Sequence, residues 1–190
     1  MMKTIKILLC IFCLFANSLA FGKEFSSDEQ KINSAIEVLK NYGYEKNIAI
    51  LQRGNYTKKP ISIIFKDLSE IDFSYSKFYA ITATDNSGNL FILINNDLRN
   101  SDTKALACLI LHESNHCKQN VADSLNEEMI AHTQEVILYI RLLSDDENLQ
   151  NNANDRLISR LNKLKKVYDE AIKTYLVSNE HYVNYIKVKE

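Results

Sequence analysis

Glycine and proline are scarce in this chain, four and one among 190 residues. These residues interrupt helices and shape turns, so their scarcity predicts a helix-rich chain with short connections. A large excess of charge of either sign is also missing. Met1 to Ala20 carries Lys3 and Lys6 but no acid, and without it the chain has 21 basic and 24 acidic residues, a formal charge of −3. That balance gives no basic surface for nucleic acid or for an anionic membrane. Cysteine is too sparse for a disulfide framework. Cys10 and Cys13 lie in the first twenty residues, and Cys108 and Cys117 remain. Nine residues apart on one helix, these two stand about 13 Å apart on opposite faces and cannot bridge without breaking it.

The first twenty residues read as a removable leader. Two lysines precede the apolar run Ile7 to Ala16, and Ser18-Leu19-Ala20 supplies small residues for cleavage after Ala20. The apolar run is short for a membrane span. An exported protein comprising residues 21–190, with no retained membrane anchor, is therefore expected. That length suffices for one domain with its own core.

What the chain does contain is Leu-Ala-Cys-Leu-Ile-Leu-His-Glu-Ser-Asn-His-Cys, from Leu106 to Cys117. Apolar residues run unbroken from Ala105 to Leu111 and lead into His112-Glu113-x-x-His116. A helix apolar on all sides is buried. Histidines four apart share one helix face and can bind one metal ion, and a glutamate beside the first can take a proton from water. Ser101 or Asp102 is placed to cap this helix. Cys108, one turn before His112, is either a further ligand or a small buried residue; its apolar neighbours favour burial.

Around this stretch the chain divides into short elements. Ser26 and Ser27 ahead of Glu29 and Gln30 form a capping-box pattern for a helix carrying Ile32, Ile36 and Leu39, stopped at Gly43. Residues 45–58 are polar and ambiguous. Ile61 to Phe65, Phe78 to Thr84 and Leu90 to Ile94 are β-rich, and Asp85-Asn86-Ser87-Gly88-Asn89 predicts a hairpin between the last two. The third strand, next to the motif, either offers its free edge to an extended peptide or is an ordinary sheet edge covered by a loop. Ser124-x-x-Glu127 is a second capping box, so Glu127 has a capping task and Glu128 is free, one turn inside a helix reaching about Leu143.

A catalytic zinc takes three protein ligands and keeps a fourth position open. His-Glu-x-x-His followed by Glu128-x-x-Ala131 on the next helix resembles the gluzincin branch of the zinc metallopeptidases. The resemblance spans roughly residues 90–135. It implies Zn²⁺ held by His112, His116 and Glu128, with Glu113 as general base and a peptide or protein as substrate. Glu127 is the alternative third ligand. The metzincin branch needs Gly at 119 and His at 122, where this chain has Gln119 and Ala122. Some gluzincin families place an Asp after the Ala to orient a ligand histidine. Here the residue is His132, which can support Glu128 or His116, ligate the metal itself, or lie on the surface. Glu135, on the same face, is read as solvated or salt-bridged.

Beyond the linker 151–154, Leu157, Leu161, Leu164, Tyr168, Ala171 and Tyr175 form an apolar seam that either packs on the Glu128 helix or dimerises as a coiled coil. The tail, with His181, Tyr182 and Tyr185, either folds over the site, where one of these groups can serve as oxyanion donor, or is an ordinary docked or frayed terminus, which is the favoured reading. The expected architecture is α+β and zincin-like: a small, mainly antiparallel sheet, a metal-binding helix, a glutamate helix and a long C-terminal helix. The expected function is hydrolysis of peptide bonds outside the cytoplasm, in a periplasm or after secretion. The rival is an exported binding or inhibitory protein that keeps the fold and hydrolyses nothing.

Overall fold

A computed structural model of the chain describes residues 26–54, 58–118 and 125–178. Among these are five helices: α1 (Ser27–Asn41), α2 (Glu45–Arg53), α3 (Thr103–His116), α4 (Leu125–Asp145) and α5 (Arg156–Ser178). Three strands, β1 (Ser62–Lys66), β2 (Ala80–Thr84) and β3 (Leu90–Asn95), form one sheet in the order β1-β3-β2. The class is α+β. The leader, the Ser124 cap and the tail aromatics lie outside the described residues.

Local signals set the element ends. Ser26 Oγ accepts from Glu29 N at 3.2 Å and Glu29 Oε2 accepts from Ser26 N at 2.9 Å, closing the capping box of α1. Gly43 at φ +82° ends that helix in a conformation that side-chain-bearing residues rarely adopt. Of the polar stretch after it, Glu45–Arg53 is helical as well. Helix α2 buries Ile48 and Leu51, and Asn47 Nδ2 donates to Ser114 Oγ at 2.7 Å, fastening α2 to α3.

The sheet corrects one expectation. β2 and β3 form the antiparallel hairpin, Thr82 facing Ile92, whereas β1 pairs parallel to β3 with Ile63 facing Ile92. A parallel pair needs a long connection, and residues 67–89, which include β2 itself, supply it. The sheet is therefore mixed rather than mainly antiparallel. β3 is its central strand, so β2 is the edge strand on the motif side; the expectation of a free edge on the third strand moves to β2.

Helix α3 is the axis of the core. Every residue from Ala105 to Asn115 is buried, and α1, α2, α4, α5 and β2 all pack against it. The apolar run accounts for the first part. The polar end is reconciled by local bonds: Ser114 Oγ and Asn115 Nδ2 both donate to Leu111 O, at 2.7 and 2.9 Å. Cys108 and Cys117 are buried free thiols, and burial pushes Cys117 up to about 12.

The C-terminal seam is used at one end only. Leu157, Ile158 and Leu161 are buried as α5 packs on α3 and α4, Leu164 and Tyr168 are half-buried, and Ala171 is exposed. One carboxylate sets the start of this packing. Asp155 Oδ1 accepts from Leu157 N at 2.8 Å in the first turn of α5, and its Oδ2 accepts from Asp102 N at 2.6 Å. Asp102 in turn caps α3 through Lys104 N at 2.7 Å. Asp155→Ala is expected to lower stability by about 1–3 kcal/mol through the lost cap and an unsatisfied amide, read as a lower urea midpoint.

Candidate metal centre

Three side chains from α3 and α4 converge where the apolar run ends. His112 Nε2 and His116 Nε2 lie 3.2 Å apart. Glu128, one turn into α4, brings Oε1 to 3.5 Å from His116 Nε2 and Oε2 to 3.7 Å from His112 Nε2. Together these residues form a group whose ligand atoms lie within 4.8 Å of one another. Two nitrogens bound at 2.0–2.1 Å to one tetrahedral zinc stand roughly 3.3 Å apart. The spacing fits a shared cation.

The far side of each imidazole explains why Nε2 faces inward. His112 Nδ1 lies 3.3 Å from Glu135 Oε2, and His116 Nδ1 lies 3.7 Å from Glu127 Oε1. Both Nδ1 atoms are buried without a well-aligned hydrogen bond, so these carboxylates are the charges they meet. A carboxylate beside Nδ1 favours the ring proton there and leaves the Nε2 lone pair bare. Two bare lone pairs and the Glu128 carboxylate then point into one space. A cation shared among them would satisfy all three acceptors. Glu127 and Glu128 thus have separate places, Glu128 with the inward nitrogens and Glu127 behind His116.

Glu135 is the anchor of the group. It is fully buried and salt-bridged to Arg160 of α5, with a bidentate contact in which Arg160 Nη2 donates to Oε2 at 2.9 Å and Nη1 donates to Oε1. Of the two readings offered by the sequence, salt-bridged is right and solvated is not. Burial alone would raise the Glu135 carboxyl. His112, His132 and Arg160 outweigh it and hold the group well below the usual carboxylate range. Burial likewise works against charge on His112, and Glu135 reverses the sign, so that histidine is raised.

Glu113 points toward the sheet. It is buried, and Thr82 Oγ1 of β2 donates to its Oε2 at 2.9 Å. Burial pushes its carboxyl up, while His112 and the Thr82 hydroxyl pull it back. Thr82 is a site residue that the sequence did not signal. A threonine in a β-rich run is ordinary, and its partner lies 31 residues away. Arg160 was equally hidden, a cation on a charged helix 25 residues from its partner.

The site opens on a cavity of about 850 Å³. Its walls are lined by His112, Glu113, His116 and Glu128, by Ala80 to Ala83 of β2, and by Ile71, Tyr75 and Phe78. Arg156 and Arg160 of α5 stack over the Tyr79 ring at 4.4 and 5.0 Å, and Arg156 Nη2 donates to Lys77 O at 2.7 Å, so α5 fixes part of this lining too. No family model, curated protein or solved structure matches the chain. The chemistry of the site is therefore argued from its own residues.

Arg160→Met leaves Glu135 as a buried, unpaired charge and is expected to cost about 3–5 kcal/mol in chemical denaturation. Adding Glu135→Leu removes that charge, and the double variant is expected to regain most of the loss.

Proposed function

We propose that the chain is an exported zinc-dependent metallopeptidase of the gluzincin type, its zinc held by His112, His116 and Glu128. The observation that carries this reading is the 3.2 Å approach of the two Nε2 atoms, closed by Glu128 and backed by carboxylates at both Nδ1 atoms. A donor set of two imidazoles and one carboxylate suits zinc and leaves a position for substrate.

Zinc bound there would supply a Lewis acid that acidifies a water molecule and polarises a peptide carbonyl. The rest falls to the protein. Glu113 takes a proton from the attacking water and passes it to the leaving amine, and burial, by raising its carboxyl, brings it nearer the range useful for that transfer. Thr82 holds Oε2 of Glu113 and so fixes the direction in which the other oxygen works. Edge strand β2 lines the cavity with Ala80, Ile81, Thr82 and Ala83, and an extended peptide added along it passes in front of Glu113. Export is supported by the composition of residues 1–20.

Elemental analysis of the purified protein is expected to find about one zinc per chain, with His116→Ala and Glu128→Ala losing it or binding it much more weakly. A zinc-replete preparation of wild type that carries no metal would sink the proposal.

Glu113→Gln is expected to keep the metal and to lose about 10²- to 10⁴-fold in cleavage of a peptide library. Unimpaired cleavage by that variant would exclude Glu113 as the base. Zinc binding by wild type without cleavage of any peptide would instead favour an exported binding protein.

A further inference from the structure

His132 has no part in the chemistry above, yet it stands between the two carboxylates that matter most to the site. Its Nδ1 lies 3.3 Å from Glu135 Oε2, and its Nε2 lies 3.6 Å from Glu128 Oε2, within ion-pair distance. Its ring is tilted against that of His112, with centroids 4.5 Å apart. At 42% side-chain exposure it is neither a core residue nor a freely solvated one.

We infer that His132 is a positioning residue that braces the ligand carboxylate Glu128 against the buried Glu135–Arg160 pair. The inference rests on the metal-site reading and adds to it. Glu128 is 40% exposed and sits one turn from the start of α4. A long side chain in that setting samples several rotamers, and ordering it on metal binding costs conformational entropy. An imidazole one helical turn further on, itself held by Glu135, narrows that choice before metal arrives.

The consequence is that Glu135 holds two of the three ligands. It faces His112 directly at Nδ1, and it reaches Glu128 through His132. The acidic residue that some gluzincin families place after the Glu-x-x-Ala orients a histidine. In this chain Glu135, one turn further along, takes the histidine, and His132 takes the glutamate. His132 Nδ1 also belongs to a second candidate group with His112 and Glu135. Arg160 already occupies both oxygens of Glu135 there, which disfavours a cation at that position.

The test compares the full chain with His132→Ala, His132→Gln and His132→Asn. It measures zinc affinity by chelator competition, the visible absorption of the cobalt-substituted protein, and the melting temperature of the metal-free form. Removing the brace should weaken zinc about 10- to 100-fold in the alanine variant. Glutamine, whose amide nitrogen reaches where Nε2 stands, should recover most of that loss, whereas asparagine, which reaches only the Nδ1 position, should not. Cobalt band positions should be the same in all four proteins, and the metal-free alanine and glutamine variants should melt together.

An alanine variant within twofold of wild type overturns the inference and returns His132 to the surface. Affinity unrescued by glutamine together with shifted cobalt bands overturns it in favour of direct ligation. A metal-free alanine variant that melts well below the glutamine variant overturns it in favour of a general structural role. Failure of wild type itself to bind zinc overturns both this inference and the metal site on which it rests. Normal zinc binding without hydrolysis removes only the peptidase reading.

Discussion

The arrangement at the end of α3 depends on a buried ion pair, Glu135 with Arg160. A carboxylate with no solvent exposure is costly unless its charge is met and its lone pairs are filled. Arg160 meets the charge with two parallel donors, and the imidazole nitrogens of His112 and His132 approach the same group. With Glu135 fixed beside Nδ1 of His112, a ring proton is favoured on that nitrogen, and Nε2 faces His116 and Glu128. Without that pair, the polar end of an otherwise apolar helix would have no reason to converge on one point.

The pair also explains why a helix far along the chain belongs to the site. α5 contributes no expected ligand. Its first turns nevertheless supply Arg160 to Glu135 and, through the stacking of Arg156 and Arg160 on Tyr79, hold another part of the cavity lining. Both are thus referred to one rigid element. The proposed ligands come from two consecutive helices, α3 and α4, while β2 and residues between 71 and 79 supply much of the remaining cavity lining.

What was legible in the sequence was local. The Ser26 and Glu29 capping box, the Asp102 cap, the apolar run into His112 and the hairpin turn are patterns within a few residues, and each specifies its element without help from the rest of the chain. The preference for Glu128 over Glu127 rested on the Ser124 capping pattern, which lies outside the described residues; the structure gives the two glutamates different neighbours. Contacts between distant segments were not legible. Thr82 to Glu113, Asn47 to Ser114 and Arg160 to Glu135 join residues whose local surroundings would read the same without the contact. The parallel pairing of β1 failed for a related reason: strand composition says that a segment is extended, but not which neighbour it joins or in which direction. α2 was blurred because a nine-residue helix shows too few turns for its period to stand out.

The Asp155 carboxylate has a consequence for how the molecule can vary. By accepting from the amides of both Asp102 and Leu157, it fixes where α5 begins relative to α3. Arg160 lies little more than one turn beyond that point, and each residue inserted or deleted between Asp155 and Arg160 turns the guanidinium by about 100° around the helix axis. The segment 146–154 is a connection that buries only Leu149, and its exposed part is of the kind that ordinarily drifts in length. Here drift is tolerable only up to Asp155, after which the phase of the helix is set by the pairing of Arg160 with Glu135. Length variation in this protein should therefore accumulate on the near side of that aspartate and be absent on the far side.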